Sequence, residues 1–153
     1  IDGGAVSFIQ KKLGLDADGI SDLLNKKSGV LGVTELSSDM REVDAACEKG
    51  DEKAILAMKM YNYRIKKYIG AYAAAMGGVD IIVFTAGVGE NQWSTREEAC
   101  EGLEFIGVKI DKELNKGLRG VEKVISTADS KVTVCIIPTD EKIMIATDTM
   151  NLL

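Results

Sequence analysis

Between Ile81 and Asn91 the chain reads IIVFTAGVGEN, and this stretch constrains the fold more than any other. Ile81 to Thr85 are apolar or β-branched with no turn former among them, the pattern of a strand buried on both faces. They run straight into Ala86-Gly87-Val88-Gly89. Two glycines one residue apart let backbone approach a ligand closely, and amides at the start of a following helix carry partial positive charge, so a phosphate or sugar fits there. An ordinary tight turn has the same pattern, so the rest of the chain must decide.

The periodicity of the remaining sequence predicts helices around this strand. Ile1 to Lys12 reads as a short amphipathic helix stopped near Gly14, and Asp18 to Lys27 as a second one ended by Ser28-Gly29. Val30 to Val33 reads as an apolar turn. Ser38 or Asp39 then caps a helix that runs to Lys49 and stops at Gly50. Asp51 to Met76 is the longest periodic segment, with Ala54, Met58, Tyr61, Ile65, Tyr68, Ile69, Tyr72 and Met76 on one stripe, which places its tyrosines in core packing. Beyond the glycine turn, Ser94 and Glu97 have capping-box spacing, and Ala99, Leu103 and Ile106 carry an apolar face to Gly107. Val108 to Ile110 and Glu122 to Ser126 read as short strands, with a brief helix or turn from Asp111 to Gly117 between them. Val132 to Ile137 is a second buried strand, closed by Pro138. Asp140 to Asn151 reads as a final helix with Ile143, Met144 and Thr147 inward. Helices alternating with buried strands mean an α/β fold, but this is little sheet for a self-contained doubly wound domain.

Length and charge narrow the function. The 153 residues suffice for about one domain with a buried core, and no apolar run approaches the ~20 residues of a membrane span. The chain opens at Ile1 rather than Met, so a piece of a longer protein is expected. A net charge of −5 with interleaved signs argues against nucleic acid or an anionic membrane as partner. Cys47, Cys100 and Cys135 are far apart, which suits a reducing cytoplasm better than a disulfide framework or zinc knuckle. The sequence contains no histidine, which excludes a Ser-His-Asp or Cys-His site built from this chain alone. Carboxylates, backbone amides, Arg and Lys are left to carry any chemistry.

Three clusters could do so. Gly87-Val88-Gly89-Glu90-Asn91 is the glycine turn. Pro138-Thr139-Asp140-Glu141 follows a buried strand, where open α/β sheets form ligand crevices, and a carboxylate there can hold magnesium; equally, Thr139 or Asp140 can cap the helix while Glu141 favours its dipole. Ser37-Ser38-Asp39-Met40-Arg41 is another polar turn into a helix, whose arginine suits a base or a phosphate but also an ordinary surface. A dinucleotide fold is the competing motif reading, with Asp111 about 20 residues past Gly89 as the ribose acid. Gln92 stands where its third glycine belongs.

Taken together, these clusters resemble the C-terminal portion of the acetokinase family. The carrying segments are Ser37 to Arg41, Tyr63 to Tyr72, Phe84 to Asn91, Glu101 to Phe105 and Ile137 to Glu141, in one order along nearly the whole chain. Propionate and butyrate kinases share much of the pattern. The resemblance implies a partial ribonuclease-H-like domain of the sugar kinase and actin-like superfamily, helix-rich with a small mixed sheet. It implies reversible transfer of the ATP γ-phosphoryl group to acetate, giving acetyl phosphate and ADP, by a cytoplasmic homodimer.

Carried over residue by residue, the resemblance assigns adenosine contacts to Gly87, Val88, Gly89, Glu90 and Asn91. It assigns a second nucleotide contact to Asp39, Met40 and Arg41, and a Mg2+ ligand to Glu141. Val88 stands where isoleucine is common and Asp140 where asparagine is common. The family's histidine, its acyl-side arginines and its glycine-rich phosphate loop have no counterpart here, so residues 1–153 are expected to be the nucleotide side of the cleft without a complete catalytic set. A stand-alone nucleotide-binding or assembly module is the alternative.

Overall fold

The computed structural model describes residues 1–152; Leu153, the last residue of the expected C-terminal part, lies outside the described residues. The chain divides into two compact units, Ile1–Tyr61 and Asn62–Leu153.

The first unit is helical. Helix α1 (Gly3–Leu13) starts at Asp2, whose carboxylate accepts from the Gly4 and Ala5 amides, and ends at Gly14 with φ +64°, a left-handed conformation that glycine adopts without a Cβ penalty. Asp16 caps α2 (Ala17–Lys26) in the same way. The segment read as an apolar turn is instead a short helix, α3 (Gly29–Thr34): its apolar run is too brief for periodicity to tell a turn from a helix. Asp39 caps α4 (Met40–Glu48). Val43 of α4 packs with Ala54 and Met58 from the start of α5 (Glu52–Met76), and Val30, Met40, Ala46 and Cys47 surround them.

The second unit holds the sheet. Strand β1 (Ile81–Phe84) leads through α6 (Ala86–Asn91) to α7 (Trp93–Cys100), then α8 (Lys112–Asn115), β2 (Lys123–Val124), β3 (Thr133–Ile136) and α9 (Glu141–Asn151). The order is β1-β3-β2. β1 lies parallel to β3 in the register Ile81 to Thr133 through Phe84 to Ile136, and β2 is antiparallel to β3. The sheet is therefore small and mixed, as the resemblance implies. Ile82, Phe84, Val134 and Ile136 pack against Ala99, Cys100 and Leu103, with Ile65 and Ile69 of α5 beside them. Val108 and Ile110 make only isolated bridges, to Val132 and Ser126.

Three expectations about burial are corrected. β1 is covered on one face only, because Ile81 and Val83 remain 58% and 46% exposed while Ile82 and Phe84 are buried. Tyr68 and Tyr72 are exposed and stack on each other with centroids 5.9 Å apart. The inward line of α5 in this unit is Asn62, Ile65, Ile69 and Ala73; each tyrosine sits three residues on from a line member, about 60° round the helix. Ile143 and Met144 of α9 are exposed rather than inward, and the Thr147 hydroxyl donates to the Ile143 carbonyl.

Candidate functional site

The two parallel strands β1 and β3 end side by side, and the chain leaving each builds one wall of a cleft. The Ile137 amide donates to the Phe84 carbonyl at 3.0 Å, which carries the pairing one residue past the strands. Ala86 follows with φ +57°, so the left-handed residue of the turn is the alanine and both neighbouring glycines have ordinary φ. The glycines serve different ends. A Cβ on Gly89 would lie 3.1 Å from the Phe84 carbonyl carbon, so this glycine lets α6 pack onto the strand it has just left. A Cβ on Gly87 would meet nothing within 4 Å, and Gly87 lines the cleft.

The cleft has a volume of about 330 Å³ and is lined by Ala86, Gly87 and Glu90 on one side and Thr139, Asp140, Glu141 and Lys142 on the other. Thr139 holds the two sides together. Its amide and its hydroxyl both donate to Glu90 Oε1 at 2.8 Å. With its proton committed to Glu90, the Thr139 hydroxyl accepts from the Ala86 amide at 3.2 Å and from the Thr85 hydroxyl at 3.0 Å. The amide and hydroxyl of Thr139 hold the Glu90 carboxyl below the usual carboxylate range. Asp140 caps α9, accepting from the Ile143 amide at 3.0 Å, and Glu141 is the first residue of that helix.

α6 is fixed from behind as well. The Asn91 side-chain amide donates to the Gly87 carbonyl at 2.8 Å, and the Gly120 amide donates to the Glu90 carbonyl. Arg96 is fully buried on α7; its Nε, Nη1 and Nη2 donate to Asn115 Oδ1, the Gly89 carbonyl and the Leu118 carbonyl at 2.8, 2.8 and 2.9 Å. Burial pulls the Arg96 pKa below its ordinary value.

Of the residues assigned from the sequence, Gly87, Glu90 and Glu141 therefore share one cleft. Val88, Gly89 and Asn91 belong to the α6 framework beside it. Asp39, Met40 and Arg41 lie in the first unit. There Arg41 Nη2 and Nε pair with the Asp39 carboxylate at 2.6 and 3.0 Å, while Met40 packs near Val43. The guanidinium, together with the Arg41 amide, lowers the Asp39 pKa to about 2.

Asp111, the ribose acid of the dinucleotide reading, caps α8 by accepting from the Leu114 amide at 2.9 Å. The Ser94 capping box does not form, because Gln92 ends α6 and directly precedes α7, leaving Ser94 as the second helical residue. Sequence reasoning missed Thr139 as a hub and Arg96 as a clamp. A threonine after proline and an arginine in a polar helix turn carry no pattern that marks either role.

Among the described residues no group of three or more His, Cys, Asp or Glu could hold a metal ion. The cleft offers Glu141, with Glu90 bonded to Thr139 and Asp140 bonded to its own helix. One carboxylate fits Mg2+ that keeps its waters and takes its other ligands from phosphate oxygens, and does not fit a cage made of protein alone. Among the described residues no helix is long and apolar enough to cross a membrane.

The comparisons with known proteins agree with this architecture. The acetokinase family matches residues 1–147. Acetate kinases from Phocaeicola vulgatus and Bacteroides thetaiotaomicron are 69% and 65% identical over the whole chain, which spans 38% of their length. The solved acetate kinase of Porphyromonas gingivalis superposes with a TM-score of 0.93 at 60% identity, over 99% of this chain and 38% of that one. A propionate kinase from Francisella tularensis gives 0.87 at 35% identity, over 100% of this chain and 38% of that one. The helix-rich α/β fold expected from the resemblance is thus the fold of solved acetate kinases, and the chain belongs to the acetokinase family.

Proposed function

We propose that this chain forms the nucleotide side of a phosphotransfer site that moves the γ-phosphoryl group of ATP reversibly to acetate, giving acetyl phosphate and ADP. The observation that carries this reading is the cleft at the carboxyl ends of β1 and β3, lined by the open backbone of Gly87 on one wall and by Glu141 on the other. Crevices at that end of parallel strands are where open α/β sheets take their ligands. The chain's own residues bind and orient. Gly87 leaves room for adenosine against the backbone, and Glu141 meets the metal side of the phosphates. Held there, Mg2+ would supply neutralisation of the phosphate charge. Asp39, Met40 and Arg41 are a second nucleotide contact in this reading.

The acceptor in this reading is a short carboxylic acid, and the setting is a cytoplasmic homodimer. The exposed Ile143, Met144 and Ile145 of α9 offer apolar surface for association. Phosphoryl transfer needs cationic donors around the γ-phosphate, and the cleft lining contains a single cation, Lys142. The 153 residues alone are therefore expected to bind ADP in the presence of magnesium but to form no acetyl phosphate. Equilibrium binding of a fluorescent ADP with and without Mg2+ tests the first half. Hydroxylamine trapping of acyl phosphate tests the second. Metal-independent binding, or none, would contradict the reading of the cleft, and trapped acyl phosphate would contradict the incomplete catalytic set.

A further inference from the structure

The Glu90 carboxylate lines the cleft, yet its position is set by protein partners. Glu90 Oε1 receives both the amide and the hydroxyl of Thr139 at 2.8 Å, and the same hydroxyl receives the Ala86 amide and the Thr85 hydroxyl. One side chain thereby ties the turn after β1 to the turn after β3. Thr139 stands two residues before Glu141 and immediately before Asp140, whose carboxylate caps α9. Any displacement of Thr139 is passed to the first turn of α9 and so to Glu141. A charged acceptor shared by two donors is among the stronger hydrogen-bond arrangements, and it crosses from one wall of the cleft to the other.

We propose that Glu90 is a positioning residue which acts through Thr139 to fix the Glu141 carboxylate, and that it makes no contact of its own with nucleotide. The inference rests on the reading of the cleft as a magnesium–nucleotide site and adds which residue sets its metal side. The arrangement leaves Oε1 with both Thr139 donors, so a nucleotide hydroxyl would have to compete with two short bonds for that oxygen. Gly87, in contrast, leaves open backbone for the ligand.

The test compares Glu90→Ala, Glu90→Gln and Thr139→Val in this chain by two readouts. The first is hydrogen exchange at the Thr139 amide without ligand, and the second is ADP binding titrated with Mg2+. Thr139→Val removes only the hydroxyl at nearly constant shape, so it serves if Glu90→Ala fails to fold.

In Glu90→Ala the Thr139 amide is expected to exchange about tenfold faster, the loss of one charge-assisted bond. The Mg2+ concentration for half-maximal ADP binding should rise severalfold in both Glu90→Ala and Thr139→Val, and their combination should be no worse than the stronger single change. Glu90→Gln, which keeps the acceptor oxygen, should recover most of the metal response. Lost ADP affinity with an unshifted Mg2+ titration would overturn the inference in favour of direct contact. Additive effects, or unchanged exchange at Thr139, would overturn it too. If the unsubstituted chain shows no Mg2+-dependent ADP binding, the reading of the cleft fails and the inference with it, an outcome distinct from a latch failure against normal parent binding.

Discussion

Arg96 Nη1 donates to the Gly89 carbonyl at 2.8 Å, and through this bond a fully buried cation holds the helix that forms one wall of the cleft. Its other two acceptors, Asn115 Oδ1 and the Leu118 carbonyl, belong to α8 and the loop after it, so one guanidinium gathers three segments. All three acceptors are neutral carbonyl oxygens. The planar five-donor fork suits this task, and the ammonium of lysine does not.

Removing that fork should be costly. Arg96→Ala leaves three inward-facing oxygens without their donor, and a buried unsatisfied group costs about 1–3 kcal/mol, so a loss of roughly 3 kcal/mol or more is expected. Arg96→Lys should recover only part of it. Urea unfolding measures both, and a loss below about 1 kcal/mol in Arg96→Ala would mean that water replaces the fork.

The two glycines of the turn should separate cleanly. Gly89→Ala drives a Cβ to 3.1 Å from the Phe84 carbonyl carbon, which backbone cannot easily yield, and a loss of about 1–3 kcal/mol in stability is expected. Gly87→Ala meets no neighbouring atom and relieves helix entropy, so stability should hold or rise by up to about 1 kcal/mol. Its methyl instead narrows the cleft and should weaken ADP binding. Thermal melts alongside ADP titrations decide; equal effects of the two on stability would contradict the division of roles.

What the sequence made legible follows from which forces were local. The caps at Asp39 and Asp140 and the strand at Ile81 rest on a few adjacent residues and are recovered. The helix expected to reach Gly107 instead ends at Cys100, where Gly102 at φ +76° follows, and Gly107 closes a separate 3-10 turn over Glu104–Ile106. The open face of β1 could not be read that way, because the exposure of Ile81 and Val83 depends on what packs over that face. The same holds for Tyr68, Tyr72, Ile143 and Met144, whose apolar character signals a core that the described residues do not supply. In the site, the open backbone at Gly87 and the place of Glu141 were legible from composition and strand ends. The Glu90 to Thr139 bonds join residues 49 positions apart, and Arg96 reaches 22 positions to Leu118, separations that no local pattern encodes.

Acid should expose the Asp39 to Arg41 pair. The Asp39 pKa is lowered from 3.8 to about 2, so the pair's contribution to folding is complete above pH 3.8 and is lost as pH falls through about 2. In Arg41→Ala the carboxyl should titrate back toward 3.8. Both groups are exposed, so salt should shrink the difference. Carboxyl-carbon NMR follows the titration directly, and an Asp39 pKa unchanged by Arg41→Ala would show that the amide bond of the helix cap alone sets it.

The cleft between the ends of β1 and β3 should receive a magnesium–nucleotide complex. An amide NMR titration of the chain with ADP and Mg2+ tests it most directly. Shifts are expected at Ala86, Gly87 and Val88 and at Thr139, Asp140 and Glu141, with the second group losing its metal dependence in Glu141→Ala. Shifts confined to other surfaces, such as the polar turn from Thr127 to Ser130, with these two turns silent at saturating ADP, would contradict the account.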